Sequence, residues 1–437
     1  MKWLTIILCS TAALFGVARA DEPPGARKLT FQAAIDLALS GNPDIASAKE
    51  AAAGAETHIA GTKAKRFPTL KVDAAANLYT EAYELPFGSQ TFTLHKQFTT
   101  FSTVTISQPL TGLAYLSELV DGAKHEASAK RSEYDKARLD VAYRTADAYI
   151  RVLEARATAE VAKQSVADIQ GGLDRAQQLR AADANTNIDV LRFKSAKAAA
   201  DQQVLKTQSA SDSAVANLVL QLGLRDGSAV EISDDLPATP PPLAMAVEAA
   251  QERALAARPE LRAARERLAA AENTRTMSWM MYLPDIRAVG MWQHATGTEP
   301  FQPKNEELIG LRLSWNVFDW GATHQSVVEA EHAQTKLRID EGSLADQARL
   351  DVRKHWLDAK TAFDSLAAAR TQQETADEAF RLQKVSFDAA AATTTDVLDA
   401  ETEAAKARLA FAVARYDYYL ALVALARSVG DLPSTPH

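Results

Sequence analysis

Residues 343–389 read SLADQARLDVRKHWLDAKTAFDSLAAARTQQETADEAFRLQKVSFDA and contain neither proline nor glycine. Most of these residues are good helix formers, so the stretch predicts one helix of roughly 70 Å at 1.5 Å per residue. After a short break, Asp396-Val-Leu-Asp399 opens a second run that lacks Pro and Gly as far as Val429. The two runs predict an antiparallel helical hairpin, with arms far longer than the roughly 11–12 residues of an average globular helix.

The hairpin belongs to a plan that the chain contains twice. Three pairs of segments match in the same order at offsets of 207 to 216 residues: Asn42-Pro-Asp-Ile45 with Arg258-Pro-Glu-Leu261, Ala137-Arg-Leu-Asp-Val141 with Ala348-Arg-Leu-Asp-Val352, and Ile188-Asp-Val-Leu191 with Thr395-Asp-Val-Leu398. Matched landmarks at a nearly constant offset indicate an internal repeat, and a repeat changes the fold that the sequence predicts.

The first twenty residues resemble a secretory signal peptide. Lys2 supplies the basic end, residues 4–17 form an apolar core, and Ala18-Arg-Ala20 is a cleavage motif, so we expect cleavage after Ala20. The only cysteine, Cys9, lies inside the apolar core and would leave with it, which disfavours both a lipid anchor and thiol chemistry. Removal of Lys2 and Arg19 would change the net charge from −8 to −10. An acidic chain without a basic cluster is not expected to bind nucleic acid.

Each copy of the repeat predicts the order helix, strand, strand, helix, helix. In the first copy, Leu70, Val72 and Leu78 alternate with Lys71, Asp73 and Asn77, which is typical of a strand with one apolar face. The first repeat is predicted at 21–224, with strands 68–80 and 99–108, a loop 81–98 and a hairpin 113–222. The second repeat is predicted at 243–430, with strands 285–294 and 308–319 and a hairpin 321–429. A Pro-rich linker, 225–242, joins the two repeats, and a tail, 431–437, follows them.

Four strands with an apolar outer face cannot form a membrane barrel within one chain, because the smallest spanning barrels have eight. The strands therefore form either an ordinary sheet on a core or part of a barrel shared by several chains. Four of the five tryptophans beyond residue 20 lie in or beside the third and fourth strands. Aromatic side chains at strand ends favour the interfacial girdles of a membrane barrel, although aromatic packing in a sheet core is the alternative. The candidate interfacial residues are Tyr79, Phe101, Tyr282, Trp292, Trp315 and Trp320.

With this plan the chain resembles the TolC-like family of outer-membrane efflux and secretion channels over nearly its whole length. The local signatures are Leu29-Thr-Phe-Gln-Ala-Ala-Ile35 running into Asn42-Pro43, Ser107-Gln-Pro-Leu110, and Asp396-Val-Leu-Asp399. The resemblance implies a mainly α fold with a membrane β-barrel. It implies a homotrimer in the Gram-negative outer membrane, whose twelve-stranded barrel continues as a long coiled-coil α-helical tunnel in the periplasm. The partners implied are a periplasmic adaptor (membrane fusion) protein, an inner-membrane pump and outer-membrane lipid.

The resemblance also implies that Asp396 and Asp399 line the periplasmic aperture of the tunnel. Three copies of two carboxylates around a narrow axis would attract cations, repel anions and raise one another's pKa. The alternative is that Asp396 serves as a helix N-terminal cap, and both roles can hold. Asp189 and Asp183 are the pseudo-equivalent residues at the first hairpin tip.

Two departures from the family pattern concern the same tips. Family members often have Gly and Arg just before the acidic motif, where this chain has Ala390 and Ala392. The first tip often reads Val-Gly-Leu, where this chain has Ala182-Asp183-Ala184. The locking of the aperture and the choice of adaptor therefore do not carry over from the family.

The function expected is passive conduction of small toxic molecules through the exit duct of a tripartite efflux pump. The sequence leaves open an exit duct for type I protein secretion and, in a different class, a soluble periplasmic coiled-coil scaffold or adaptor. The chain has no phosphate loop, nucleophile elbow or plausible triad, so we do not expect an enzyme. The eight histidines are scattered, and neither a metal site nor a cofactor is predicted.

Overall fold

The computed structural model describes residues 27–182, 186–224, 230–243, 245–298 and 303–433. The signal peptide with its cleavage site after Ala20, the tip residue Asp183 and the last residues of the tail lie outside this part of the chain.

Long helices form most of the molecule, in two matching sets. In the first copy, α1 (Phe31–Gly41) and α2 (Pro43–Ala64) precede α3 (Gly112–Ala181) and α4 (Asn187–Gln221). In the second copy, α5 (Val247–Ala257) and α6 (Pro259–Met280) precede α7 (Ala322–Asp388) and α8 (Thr394–Val429). The helix α3 has 70 residues and α7 has 67, so each is on the order of 100 Å long.

Local chemistry sets the break between the first two helices of each copy. The side chain of Asn42 accepts a hydrogen bond of 2.9 Å from the Asp44 N–H, and Pro43 occupies the first helical position of α2. A proline there costs nothing, because the first N–H groups of a helix have no partner within the helix. In the second copy, Pro259 takes the same position at the start of α6.

Four strands join the two copies in one antiparallel sheet: β2 (Thr69–Leu78), β5 (Phe98–Pro109), β7 (Asp285–Thr296) and β8 (Asn305–Ser314), in that spatial order. Because β5 pairs with β7, the sheet crosses the boundary between the repeats. Among the residues that the structure describes, the outer strands β2 and β8 each pair on one side only.

The strand bounds differ from the sequence prediction in two places. The segment 81–98, predicted as a loop, contains a hairpin of β3 (Tyr83–Phe87) and β4 (Gln90–His95). The fourth strand was predicted at 308–319 but spans Asn305–Ser314, so Trp315 and Val317 lie beyond it. The ladder ends there because Asp285, the partner of Ser314, is the first residue of β7.

The segment between the copies also contains structure that the sequence did not predict. The strand β6 (Val230–Ile232) lies inside the predicted linker and pairs in parallel with β1 (Arg27–Leu29) near the start of the chain. The buried Tyr149 on α3 donates hydrogen bonds to the Leu29 carbonyl at 3.1 Å and to Asp235 at 3.0 Å. Burial and the neighbouring Asp235 carboxylate raise the pKa of Tyr149, which keeps the hydroxyl protonated as a donor.

Candidate functional site

The tip of the second hairpin lies between the end of α7 and the start of α8. Thr393 caps α8: its side chain accepts from the Asp396 N–H at 3.2 Å, while the Thr393 N–H and hydroxyl donate to Asp396 Oδ2 at 2.9 and 2.7 Å. This reciprocal pairing is a capping box. The two hydrogen bonds that Thr393 donates hold the pKa of the Asp396 carboxyl below its usual range.

The first hairpin tip repeats this geometry at the start of α4. The backbone N–H of Thr186 donates to Asp189 Oδ2 at 3.2 Å, and its hydroxyl donates to the same oxygen at 2.5 Å. The hydrogen bond from the Thr186 hydroxyl lowers the pKa of Asp189. Asp189 and Asp396 therefore make the same contacts, each as the third helical residue of a capping box whose N-cap is a threonine.

The two tips are held together as one unit. Arg192 on α4 donates to Thr395 Oγ1 at 2.8 Å, and Arg175 on α3 donates to the Asp388 carbonyl at 2.5 Å. Beneath them, the rings of Phe193 and Phe387 lie 5.8 Å apart, centre to centre. A tip cluster of buried residues surrounds these rings: Ile169, Leu173, Ala176, Val190, Phe193, Phe380, Phe387, Val397 and Ala404.

Asp399 differs from Asp396 in its surroundings. Both side chains are exposed. Within the part of the chain that the structure describes, however, no hydrogen bond or ion pair engages Asp399, whereas Asp396 is fixed by its cap. The expectation that carboxylates in this position have raised pKa values depends on neighbouring chains. In a single chain, capping acts on Asp396 in the opposite direction.

Ala390, which stands where the family often has glycine, adopts a left-handed conformation with φ of 59°. The Ala391 N–H donates to the Ser386 carbonyl at 2.8 Å, which closes the last turn of α7 in a Schellman-type arrangement. A left-handed residue that carries a Cβ costs about 1–2 kcal/mol, so the backbone geometry typical of glycine is kept here at a cost in stability.

A group of charged residues just above the tip was missed from the sequence. Arg408 on α8 bridges Asp168 on α3 at 2.9 Å and Asp377 on α7 at 2.6 Å. Two turns closer to the tip, the buried Glu401 carboxyl accepts a hydrogen bond of 2.5 Å from Ser165, and burial raises its pKa. The segments involved are up to 240 residues apart, so no local pattern could have paired them.

The strand register divides the sheet into two faces of opposite character. One face carries apolar side chains that are exposed in the single chain: Leu70, Val72, Leu78, Ile106, Ile309, Leu311 and Leu313. The other face carries polar and charged residues that alternate with them: Lys71, Asp73, Thr103, Thr105, Arg287, Gln293, Glu306 and Arg312. We refer to these as the apolar face and the polar face.

The candidate interfacial aromatics fall into separate groups. Tyr282 and Trp315 lie at the helix-side end of the sheet, where the Trp315 indole donates to the Tyr282 carbonyl at 3.0 Å. Trp320 lies nearby and is 91% exposed. Towards the far end, Trp292 lies on the apolar face beside Val104, and the ring of Tyr79, just after β2, contacts that of His95 at 4.2 Å.

Phe101 does not fit the predicted interfacial role. Its Cα partners are Ala75 and Ala295, and by strand alternation it shares the polar face with Thr103 and Thr105. Val104 and Ile106 project to the opposite, apolar face. The register with β2 thus assigns each residue of β5 to its face of the sheet.

The architecture of the chain is similar to that of known proteins. The family model described as outer membrane efflux protein matches residues 34–224 and 250–431. Among solved structures, a membrane protein from Pseudomonas aeruginosa superposes with a TM-score of 0.78 at 20% identity, covering 92% of this chain and 93% of that chain. The Vibrio cholerae outer membrane protein VceC gives 0.77 at 17% identity, covering 92% and 96%. The outer-membrane channel OprN gives 0.75 at 19% identity, covering 92% and 89%. No curated protein sequence matches the chain.

Proposed function

The chain belongs to the outer membrane efflux protein family, and on this premise we propose that it is the exit duct of a tripartite efflux pump. In this proposal three copies close a twelve-stranded barrel in the outer membrane, and their helical hairpins enclose a periplasmic tunnel. Small toxic molecules pass through passively, after an inner-membrane pump and a periplasmic adaptor protein have delivered them.

The observation that carries the proposal is the sheet with its exposed apolar face and two open edges. Ile309 is 93% exposed and Leu311 is 73% exposed, although both lie in a regular strand. Lipid tolerates neither unpaired strand edges nor a charged outer surface. Pairing of β8 with β2 of the next chain removes the open edges, and the apolar face turned outwards meets the lipid. A soluble scaffold would leave this apolar face in water, which is the reason for preferring the duct.

The aromatic positions agree with the thickness of a membrane barrel. Trp315, the first residue beyond β8, lies eight residues along the chain from Glu307, the Cα partner of Trp292. At about 3.3 Å per residue this separation is roughly 26 Å along the strand, or about 20 Å across the membrane at a 40° tilt. Tyr282, Trp315 and Trp320 would form the inner girdle, and Trp292 and Tyr79 the outer one.

The periplasmic aperture would be formed by the second hairpin tip. In a trimer, Asp396 and Asp399 contribute three copies of two carboxylates, an arrangement that favours cations over anions at a narrow opening. The contact of Arg192 with Thr395 would couple the first tip to the second when the aperture widens.

Membrane fractionation of the mature protein, followed by sizing in detergent, tests the proposal. We expect a complex of three chains that partitions with the outer membrane and, in planar bilayers, gives defined conductance steps. A monomer or dimer released in the periplasmic extract without detergent would overturn the duct and support the scaffold. The transported substrate distinguishes an efflux duct from a secretion duct. Cells that lack this protein would become sensitive to small toxic molecules if it serves efflux, and would fail to export a polypeptide if it serves type I secretion.

The aperture is tested by the double substitution Asp396→Ala with Asp399→Ala in the same bilayers. Removal of the ring should increase conductance and weaken cation selectivity, since both the constriction and its charge are reduced. The matched control is Asp189→Ala at the first tip, which removes the equivalent cap. If the control changes selectivity as much as the double variant, the ring does not set it.

A further inference from the structure

The charged residues of the polar face lie at different levels of the sheet. Arg287 on β7 and Arg312 on β8 are direct Cα partners, close to the end where the strands meet the helices. Further along, Lys71 forms an ion pair of 2.7 Å with Asp73, and Glu306 lies on β8 six residues before Arg312. The helix-side level of this face therefore has an excess of positive charge.

The juxtaposition of Arg287 and Arg312 has no structural explanation. Side chains directly opposite on neighbouring strands have Cβ atoms about 5 Å apart, and like charges there destabilise the pair. Asp285 offsets one of the two, because its carboxylate accepts a hydrogen bond of 2.6 Å from Arg287 Nε. Within the described ranges of the chain, no carboxylate lies within ion-pair distance of Arg312.

A cavity of about 530 Å³ lies beside this level, where the sheet joins the helices. The strand residues that line it, among them Thr69, Ser107 and Ser314, belong to the polar face, so the cavity opens to the side that the barrel would enclose. Its wall is amphipathic: Lys65 and Arg287 supply cations, Asp285 supplies the carboxylate that Arg287 binds, and Tyr115, Met280, Met281 and Leu283 supply apolar contact. Arg312 lies outside the wall, next to Arg287 on the neighbouring strand. Its volume is in the range of about 300–1,000 Å³ that is usual for small-molecule sites.

We propose that this junction is a binding site for organic anions, in which Arg287 and Arg312 hold a carboxylate or sulfonate and the cavity holds the apolar body attached to it. The planar guanidinium group presents paired N–H donors that match the oxygens of such an anion. A bound anion also neutralises the positive charge of the arginine pair that Asp285 leaves uncompensated. The methionines and the tyrosine offer an adaptable apolar surface, which suits a class of compounds rather than one molecule.

The inference rests on the proposed function, because the polar face becomes a lumen only in the closed barrel. Three chains would place six guanidinium groups at the base of the barrel, above the acidic ring at the tunnel tip. The duct would then favour cations at its aperture and retain amphipathic anions at the barrel base.

Single trimers in planar bilayers allow the test. Naphthalene-2-sulfonate is added on the barrel side, from which the junction is reached without passage through the aperture, and its blockade of the current is titrated. A naphthylmethyl-trimethylammonium ion of similar size is the matched probe of opposite charge. We expect saturable blockade by the sulfonate and a much weaker effect of the ammonium ion.

The variants are Arg287→Gln with Arg312→Gln, and Arg312→Lys. The double variant should weaken the blockade about tenfold or more, because hydrogen bonds to charged groups are lost. Arg312→Lys should retain part of it, since the charge remains without the planar donor pair. Glu306→Gln, on the same face but away from the cavity, is the control and should bind the sulfonate at least as well as the wild type.

Equal blockade by both probes, or an unchanged affinity in the double variant, would overturn the anion site. In either case a normal wild-type conductance would leave the proposed duct intact. Failure of the wild type to form trimers or conducting steps would instead overturn the proposed function, and the anion site with it.

Discussion

The two hairpin tips share their capping geometry and differ in charge three residues later. Thr186 with Asp189 and Thr393 with Asp396 form the same capping box. The next corresponding position is Arg192 in the first copy and Asp399 in the second. Arg192 is engaged in a contact between the tips, whereas Asp399 is exposed and, among the described residues, has no hydrogen bond or ion pair.

This difference separates the chemistry of folding from that of the aperture. A carboxylate found in both copies and bonded to a helix N-terminus is accounted for by helix stability. Helix stability does not explain Asp399, an exposed carboxylate that occurs in the second copy only. We therefore expect Asp399 to dominate the electrostatics of the aperture, with Asp396 mainly holding the first turn of α8 in place.

The largest effect is expected from making the second tip match the first with Asp399→Arg. Each chain would exchange a negative for a positive charge at the proposed ring, so cation preference should change to anion preference. The reversal potential of single trimers in a salt gradient measures this, and Asp399→Asn should give an intermediate value. A reversal potential that stays at the wild-type value in both variants would place Asp399 away from the conduction path.

The next effect concerns Glu401, which belongs to α8 but is buried against α3. Burial raises the pKa of Glu401, and the nearby charge of Asp168 raises it further. The hydrogen bond from Ser165 and the charge of Arg408 act in the opposite direction but are outweighed. The folded state therefore holds this proton more tightly than the unfolded chain does. The contribution of protonated Glu401 to folding stability is therefore fully present below the usual pKa of glutamate. It is lost as the pH rises through the raised pKa.

Glu401→Gln should consequently slow hydrogen exchange in α8 near the tip at pH 7 and have little effect at pH 4. Glutamine keeps the oxygen that accepts from Ser165 and removes the charge. Glu403→Gln is the control, because Glu403 is exposed and pairs with Lys406 at 2.8 Å. Faster exchange in Glu401→Gln at pH 7 would mean that the Glu401 charge stabilises the tip.

Local patterns in the sequence predicted the helices and the four main strands. They offered Asp396 as the N-cap of α8, whereas the N-cap is Thr393 and Asp396 is its capping-box partner. They failed where the outcome depends on a distant partner. The alternation in β8 continues to Val317, but the strand ends at Ser314 because its partner begins at Asp285. The hairpin of β3 and β4 was hidden by Pro86 and Gly88, which resemble a loop. The contact of Arg192 with Thr395 joins residues 203 positions apart, beyond any local signal.

A smaller effect should follow from removing the shared cap at either tip. Asp189→Ala and Asp396→Ala each remove the carboxylate that accepts from the N–H and the hydroxyl of the N-cap threonine, Thr186 or Thr393. Loss of this half of the capping box should speed up exchange in the first turn of α4 and α8 respectively by about fivefold. Asp399→Ala is the control at the second tip and should leave exchange in the first turn of α8 unchanged. A large effect of Asp399→Ala on exchange would contradict the separation between cap and aperture residue.

The smallest effect concerns the left-handed residue that follows α7. Ala390 has φ of 59°, whereas the C-cap residues of the two long helices, Ala389 and Ala182, have φ of −86° and −92°. Ala390→Gly removes the steric cost of the Cβ, roughly 1–2 kcal/mol, and adds about 0.5–1 kcal/mol of lost chain entropy on folding. The net gain should be about 0.5 kcal/mol, seen as slower exchange in the last turn of α7.

Ala182→Gly is the control at an unstrained C-cap and should destabilise the end of α3 by about 0.5–1 kcal/mol. If both substitutions shift exchange in the same direction, the left-handed conformation of Ala390 carries no steric cost that a glycine relieves.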